Sequence, residues 1–116
     1  MTYHHRIQVH IEKMTHDILD LVERLPKKYQ FLFGKRISEL VLDSLMLAVK
    51  AQFTPPSQQT SLLHHLDECL LQIRILLRLC ADRKLISLGQ LESTLHRMDT
   101  CIGLLESWKQ EIPSTI

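Results

Sequence analysis

Leu71-Gln-Ile-Arg-Ile-Leu-Leu-Arg-Leu-Cys-Ala-Asp82 reads as one long helix, and Arg83-Lys-Leu-Ile-Ser-Leu-Gly-Gln-Leu-Glu92 reads as a tight turn followed by a fresh helix start. Leu and Ile recur through the first run at helical spacing, with no alternating β-branched pattern. Ser87 and Gln90 have capping-box spacing, in which the hydroxyl accepts from an early backbone N–H and the amide reaches back to the cap. Two helices joined by so few residues must pack side by side. The fold class follows from how many such segments the rest of the chain supplies.

Four emerge. Upstream of the turn, the third helix extends over roughly 58–83 with Leu62, Leu66, Cys69, Leu70, Ile73, Leu77 and Cys80 inward. Downstream, the fourth covers roughly 88–111 with Leu88, Leu91, Leu95, Met98, Ile102 and Leu105 on one face and Trp108 at its end. Thr54-Pro-Pro-Ser57 is the strongest breaker in the chain. Before it, the second helix covers roughly 30–53, its core face being Phe33, Ile37, Leu40, Val41, Ser44 and Ala48; Gly34 permits close approach of a neighbour. The first covers roughly 6–25, with Ile7, Ile11, Met14, Ile18, Leu21 and Leu25 at alternating fours and threes. Pro26 ends it, leaving Lys27 and Lys28 in the connection. Helices of 20–25 residues are about 30–37 Å long. Four of similar length with short connections predict a single all-α domain over 1–116, an antiparallel up-down-up-down four-helix bundle.

Composition agrees. The chain has 116 residues, with 45% hydrophobic and 23% charged, but only 3 Gly and 4 Pro, too few for the many turns of a sheet protein. Lys and Arg total 14 against 13 Asp and Glu, so attraction to an anionic partner must come from local clustering. Cys69, Cys80 and Cys101 form neither a CxxC pair nor an even set, and read as small core residues in a reducing compartment. The start, Met1-Thr-Tyr-His-His-Arg6, has no signal-peptide core, and no apolar run approaches the ~18 residues of a membrane helix. A cytoplasmic protein without a membrane partner is the expectation.

Two helices have more apolar surface than a four-helix monomer needs. At 100° per residue, Leu42, Met46, Val49 and Phe53 lie far from the core arc centred on Ile37, and Leu71, Ile75 and Leu79 lie opposite Ile73 and Leu77. Contiguous apolar stripes mark a contact surface, and two different stripes pair heterologously, a geometry that closes into rings. The cations gather in two places: Lys27, Lys28, Lys35 and Arg36 around the start of the second helix, and Arg74, Arg78, Arg83 and Lys84 on the third helix and its turn. Arg78 has the i,i+4 spacing to pair with Asp82, and Arg74 lies one heptad from Asp67. In a ring each cation repeats in every subunit, which strengthens the potential a phosphate backbone would meet.

Chemistry has no comparable foothold. A di-iron bundle needs Glu-x-x-His pairs on facing helices, and no Glu here is followed by His three residues on. The seven histidines lack metal-ligand spacing, so no metal or other cofactor is expected. The Arg-x4–6-His pattern of one class of helical ribonucleases is missing, since Arg6 and His10 have only three residues between them. Phosphate-cradling glycine loops, a nucleophile elbow and paired catalytic carboxylates are also missing, so no catalytic residue is expected.

With the helices placed, the chain resembles the accessory variability determinant family of diversity-generating retroelements, related to the four-helix-bundle proteins encoded in ribosomal RNA intervening sequences. Leu25-Pro-Lys-Lys-Tyr-Gln-Phe-Leu-Phe33 is similar to that family's proline-basic connection into an aromatic helix start. Ile37-Ser-Glu-Leu-Val-Leu-Asp43 is similar to the amphipathic core that follows, and Ile73-Arg-Ile-Leu-Leu-Arg-Leu79 with 82–90 to its leucine-arginine block and capped turn. Trp108 matches a late tryptophan of the fourth helix. The resemblance covers nearly the whole chain. It implies a non-enzymatic bundle assembling as a homopentameric ring, and an accessory protein that binds a reverse transcriptase and RNA or DNA to support mutagenic complementary-DNA synthesis. It also implies that Arg74 and Arg78, which align with basic positions of the third helix, are contact residues. Members of the family are often strongly basic, and this chain is nearly neutral.

Overall fold

The computed structural model describes residues 3–112, which hold four long helices and no strand. We label them α1 (Tyr3–Glu23), α2, α3 (Thr60–Asp82) and α4 (Leu88–Glu111). The helix α2 is continuous in backbone: a first turn, Lys27–Tyr29, runs through a π-helical turn, Gln30–Gly34, into Lys35–Gln52. A short 3₁₀ turn, Pro56–Gln58, precedes α3. In cross-section α1 packs on α2 and α4, and α3 packs on the same two. The domain measures 47 × 24 × 23 Å. No helix of the described residues is long and apolar enough to cross a membrane.

The α1–α2 corner is tighter than the sequence suggests. Lys27 and Lys28 lie in the first turn of α2 rather than in the connection. Pro26 does two jobs. It cannot donate a backbone bond to continue α1, and its own carbonyl accepts from Tyr29 N at 2.8 Å and Gln30 N at 3.0 Å to open α2. The Gln30 amide donates back to the carbonyls of Glu23 and Leu25, at 3.0 and 2.9 Å, satisfying acceptors at the end of α1. The π turn carries Gly34 against α1 so closely that a Cβ there would sit 2.9 Å from Val22 Cγ1. Phe33 is buried beside it, its ring stacked on Tyr29 with centroids 5.9 Å apart.

The predicted faces of α1 and α2 are buried throughout, and Ala51 extends the second. Two buried hydroxyls donate within their own helices, Thr15 Oγ1 to Ile11 O and Ser44 Oγ to Leu40 O. On α3 the face is as expected except at its start, where Leu63 is buried and Leu62 half-buried. The larger departure is α4. Its core face is Thr94, Met98, Cys101, Leu105 and Trp108; Leu91, Leu95 and Ile102 lie on the flank, and Leu88 is 70% exposed. Thr94 and Cys101 thus take core positions that the leucines were expected to fill, and Trp108 fixes the rotation of the helix.

Trp108 does so through Gln59. The buried Gln59 side chain donates to Ala51 O at 2.9 Å and Thr54 O at 3.1 Å, while its Oε1 accepts from Trp108 Nε1 at 3.2 Å. One residue thus ties the end of α2, the proline loop and the end of α4. At the α3–α4 turn, Leu85 N donates to Cys80 O and Lys84 N to Ala81 O, both at 2.9 Å, which is a Schellman cap with Lys84 in the left-handed conformation at φ 61°. The Ser87–Gln90 capping box forms with both bonds, 2.8 and 3.0 Å, and Ile86 is buried beneath it. Ile112-Pro-Ser-Thr-Ile116 reads as a tail after the fourth helix, and its 113–116 part lies outside the described residues.

Candidate interaction surface

Lys27, Lys28 and Lys35 are exposed along the first turns of α2, with Lys28 Nζ 5.5 Å from the centroid of the Tyr29 ring. A helix N-terminus carries partial positive charge, so the two lysines there work against the dipole and gain nothing from it. Arg36 is exposed but engaged: it donates to Gln72 Oε1 at 3.0 Å across to α3 and lies 4.0 Å from the Glu39 carboxylate.

The cations of α3 divide. Arg74 pairs with Asp99 of α4, and its side chain is only 27% exposed. Its Nε is buried without an acceptor. Arg74 is thus first a clip between α3 and α4, and Asp67, its heptad neighbour, instead accepts from Lys109. Burial pulls the Lys109 ammonium down, but its bonds to Asp67 and Glu106 together outweigh that and leave its pKa raised. Arg78, Arg83 and Lys84 are exposed and stand outside every ion pair among the described residues; the spacing of Arg78 to Asp82 produces none.

A polar groove of about 410 Å³ gathers Asp17, Asp20 and Arg24 from the end of α1 with Gly89, Gln90 and Arg97 from the start of α4. Arg97 pairs with Asp17 across it. The His10 imidazole, about two turns before Asp17 on α1, has its pKa lowered, by burial first and then by Lys13, Arg6 and Arg97.

Of the expected apolar stripe, Leu42, Met46, Leu71, Ile75 and Leu79 are exposed, as is Phe53. Val49 is half-buried. Two further members went unread in the sequence: Phe31, 81% exposed, and Leu32, 57% exposed. Both lie in the π turn. The extra residue of such a turn shifts the phase of the helix, which regular 100° spacing does not anticipate. The available signal was the unbroken apolar run Phe31-Leu-Phe33, of which one helix face can bury only part.

Cys69, Cys80 and Cys101 are free and buried in the core. Burial raises all three thiols, Cys101 to about 12, so none is a ready nucleophile at neutral pH. No group of three or more His, Cys, Asp or Glu able to hold a metal occurs among the described residues. A second groove, about 320 Å³, lies between α3 and α4, with Leu70, Leu71 and Ile102 as apolar lining, Arg74 along it, and Asp67 and Glu68 beside His64. Comparison with models of protein families, with curated proteins and with solved structures finds no match for this chain.

Proposed function

We propose that this chain is a non-enzymatic, self-assembling four-helix protein that serves as accessory subunit to a retroelement reverse transcriptase and contacts its nucleic acid. It would act in the cytoplasm, in support of mutagenic complementary-DNA synthesis. The observation that carries the reading is one molecule presenting exposed apolar stripes on α2 and α3 together with exposed cations, Arg78, Arg83 and Lys84, outside every ion pair among the described residues. The stripes suit assembly, for which we favour a pentameric ring; the cations suit phosphate contacts that are salt-sensitive and sequence-tolerant.

An up-down-up-down, antiparallel topology belongs to this reading. Its support is that numbers fall on α4 as they rise on α3, in the pairs Asp67 with Lys109 and Arg74 with Asp99, and that Gln8 near the start of α1 meets Gln52 at the end of α2 while Arg36 near the start of α2 meets Gln72 on α3. In that topology the α1–α2 and α3–α4 corners share one end of the bundle, as the groove joining Arg24 to Gly89 and Gln90 favours. Lys27, Lys28 and Lys35 would then crowd one end with Arg78, Arg83 and Lys84. Reversing charge at Arg78, Arg83 and Lys84 should leave helix content intact and weaken retention of a single-stranded RNA oligonucleotide at least tenfold at physiological salt. Unchanged retention overturns the nucleic-acid assignment.

The second reading is a self-assembling structural bundle without a nucleic-acid role. The near balance of 14 cations and 13 anions favours it, as does the neutralisation of Arg74 by Asp99. Oligomers with no salt-dependent RNA retention would select it.

A further inference from the structure

The two exposed side chains of the π turn and the groove between α3 and α4 complement one another. Phe31 and Leu32 project from the start of α2, with Lys27, Lys28 and Lys35 exposed around them. An aromatic anchor inside a polar rim is the usual make-up of an interface hot spot. On another part of the same surface, the groove between α3 and α4 offers Leu70, Leu71 and Ile102 as apolar lining in about 320 Å³, room enough for a phenyl ring. Asp67 and Glu68 border it, and Glu68 is exposed and outside every ion pair among the described residues. Arg74, held by Asp99, presents a fixed guanidinium in the same groove. A planar cation of that kind is favourable against an aromatic face.

We infer that Phe31 and Leu32 of one copy insert into the α3–α4 groove of a second copy, with the lysines of the first meeting Glu68 and Asp67 of the second. This rests on the self-association proposed above and names the contact that would carry it. Knob and groove are different patches of the chain, so one contact is heterologous: it leaves the first copy's groove and the second copy's knob free, and repeated head-to-tail it propagates until a ring closes. A nucleic-acid strand is a poorer occupant for the knob. Successive bases need successive stacking faces, and Tyr29 and Phe33 are already stacked on each other. Leu32 has no ring to offer.

Light scattering and sedimentation of the full chain test the inference. Phe31→Glu and, separately, Lys28→Glu should raise the dissociation constant between copies at least tenfold. The substituted side chains are exposed, so circular dichroism should be unchanged. Glu68→Lys should weaken association likewise, and combining it with Lys28→Glu should restore association toward the wild-type value. If Met46→Asp dissociates the assembly while Phe31→Glu leaves it intact, self-association stands and the knob-in-groove contact is overturned. A wild-type chain that stays monomeric at high concentration overturns both. An unaffected oligomer that loses only RNA retention on Phe31→Glu places a nucleic-acid strand on this patch instead and also overturns the inference.

Discussion

Lys84 stands where a helix end most often has glycine. The Schellman cap at the end of α3 puts it at φ 61°, where its Cβ crowds the backbone. Its backbone bond to Ala81 O and the Leu85 bond to Cys80 O hold the conformation. Lys84→Gly relieves the crowding but gives the unfolded chain more freedom. The balance should be a stabilisation of about 0.5–1 kcal/mol, read as a higher urea midpoint at unchanged slope. The same substitution removes a cation from the proposed phosphate-binding end, so stability and RNA retention should move in opposite directions. No sequence pattern marks a lysine for a left-handed turn. The Ser87–Gln90 box three residues on was legible because it depends on residue type at fixed spacing.

Among the elements, α1 and α2 were legible face by face because their apolar residues repeat in one register and little competes with it. On α4 two registers compete. Met98 and Leu105 belong to both, and leucines at 91 and 95 outweigh Thr94 and Cys101 by hydropathy alone. Packing reverses the choice, because Trp108 has to bury its ring and satisfy its N–H, and Gln59 offers the acceptor. Gln59 itself reads as an ordinary first-turn residue of the third helix in the sequence; its role exists only once the proline loop brings it beneath Trp108. Gln59→Ala should therefore cost about 1–3 kcal/mol, since one side chain's three hydrogen bonds are lost at once while Ala51 O keeps its bond from Thr54 N. A fall in the thermal midpoint with red-shifted tryptophan emission would identify the lock. A change below about 0.5 kcal/mol would show that Trp108 and the carbonyls find other partners or water.

At the scale of the whole molecule, the exposed apolar side chains are the quantity to explain. Scattered singly they would be ordinary, but Leu42, Met46 and Phe53 follow one another along α2, and Leu71, Ile75 and Leu79 along α3. These stripes were legible because each lies opposite a core face that was itself legible; the π turn hid Phe31 and Leu32. Self-association has a thermodynamic signature that a monomer with a greasy surface lacks. A partner that binds only the folded chain stabilises it by mass action, so the thermal midpoint should rise as protein concentration rises. Met46→Asp and Ile75→Asp place a charge where a second copy would have to desolvate it. Both side chains face solvent in the single chain, 58% and 54% exposed, so each variant should match the wild type at high dilution. Only the wild type should gain stability on concentration. If all three midpoints are independent of concentration, the stripes are not an interface between copies, and their apolar surface is left for a different protein. If the variants lose stability even at high dilution, the two side chains contribute to folding within one copy, and the outward face assigned to them is wrong.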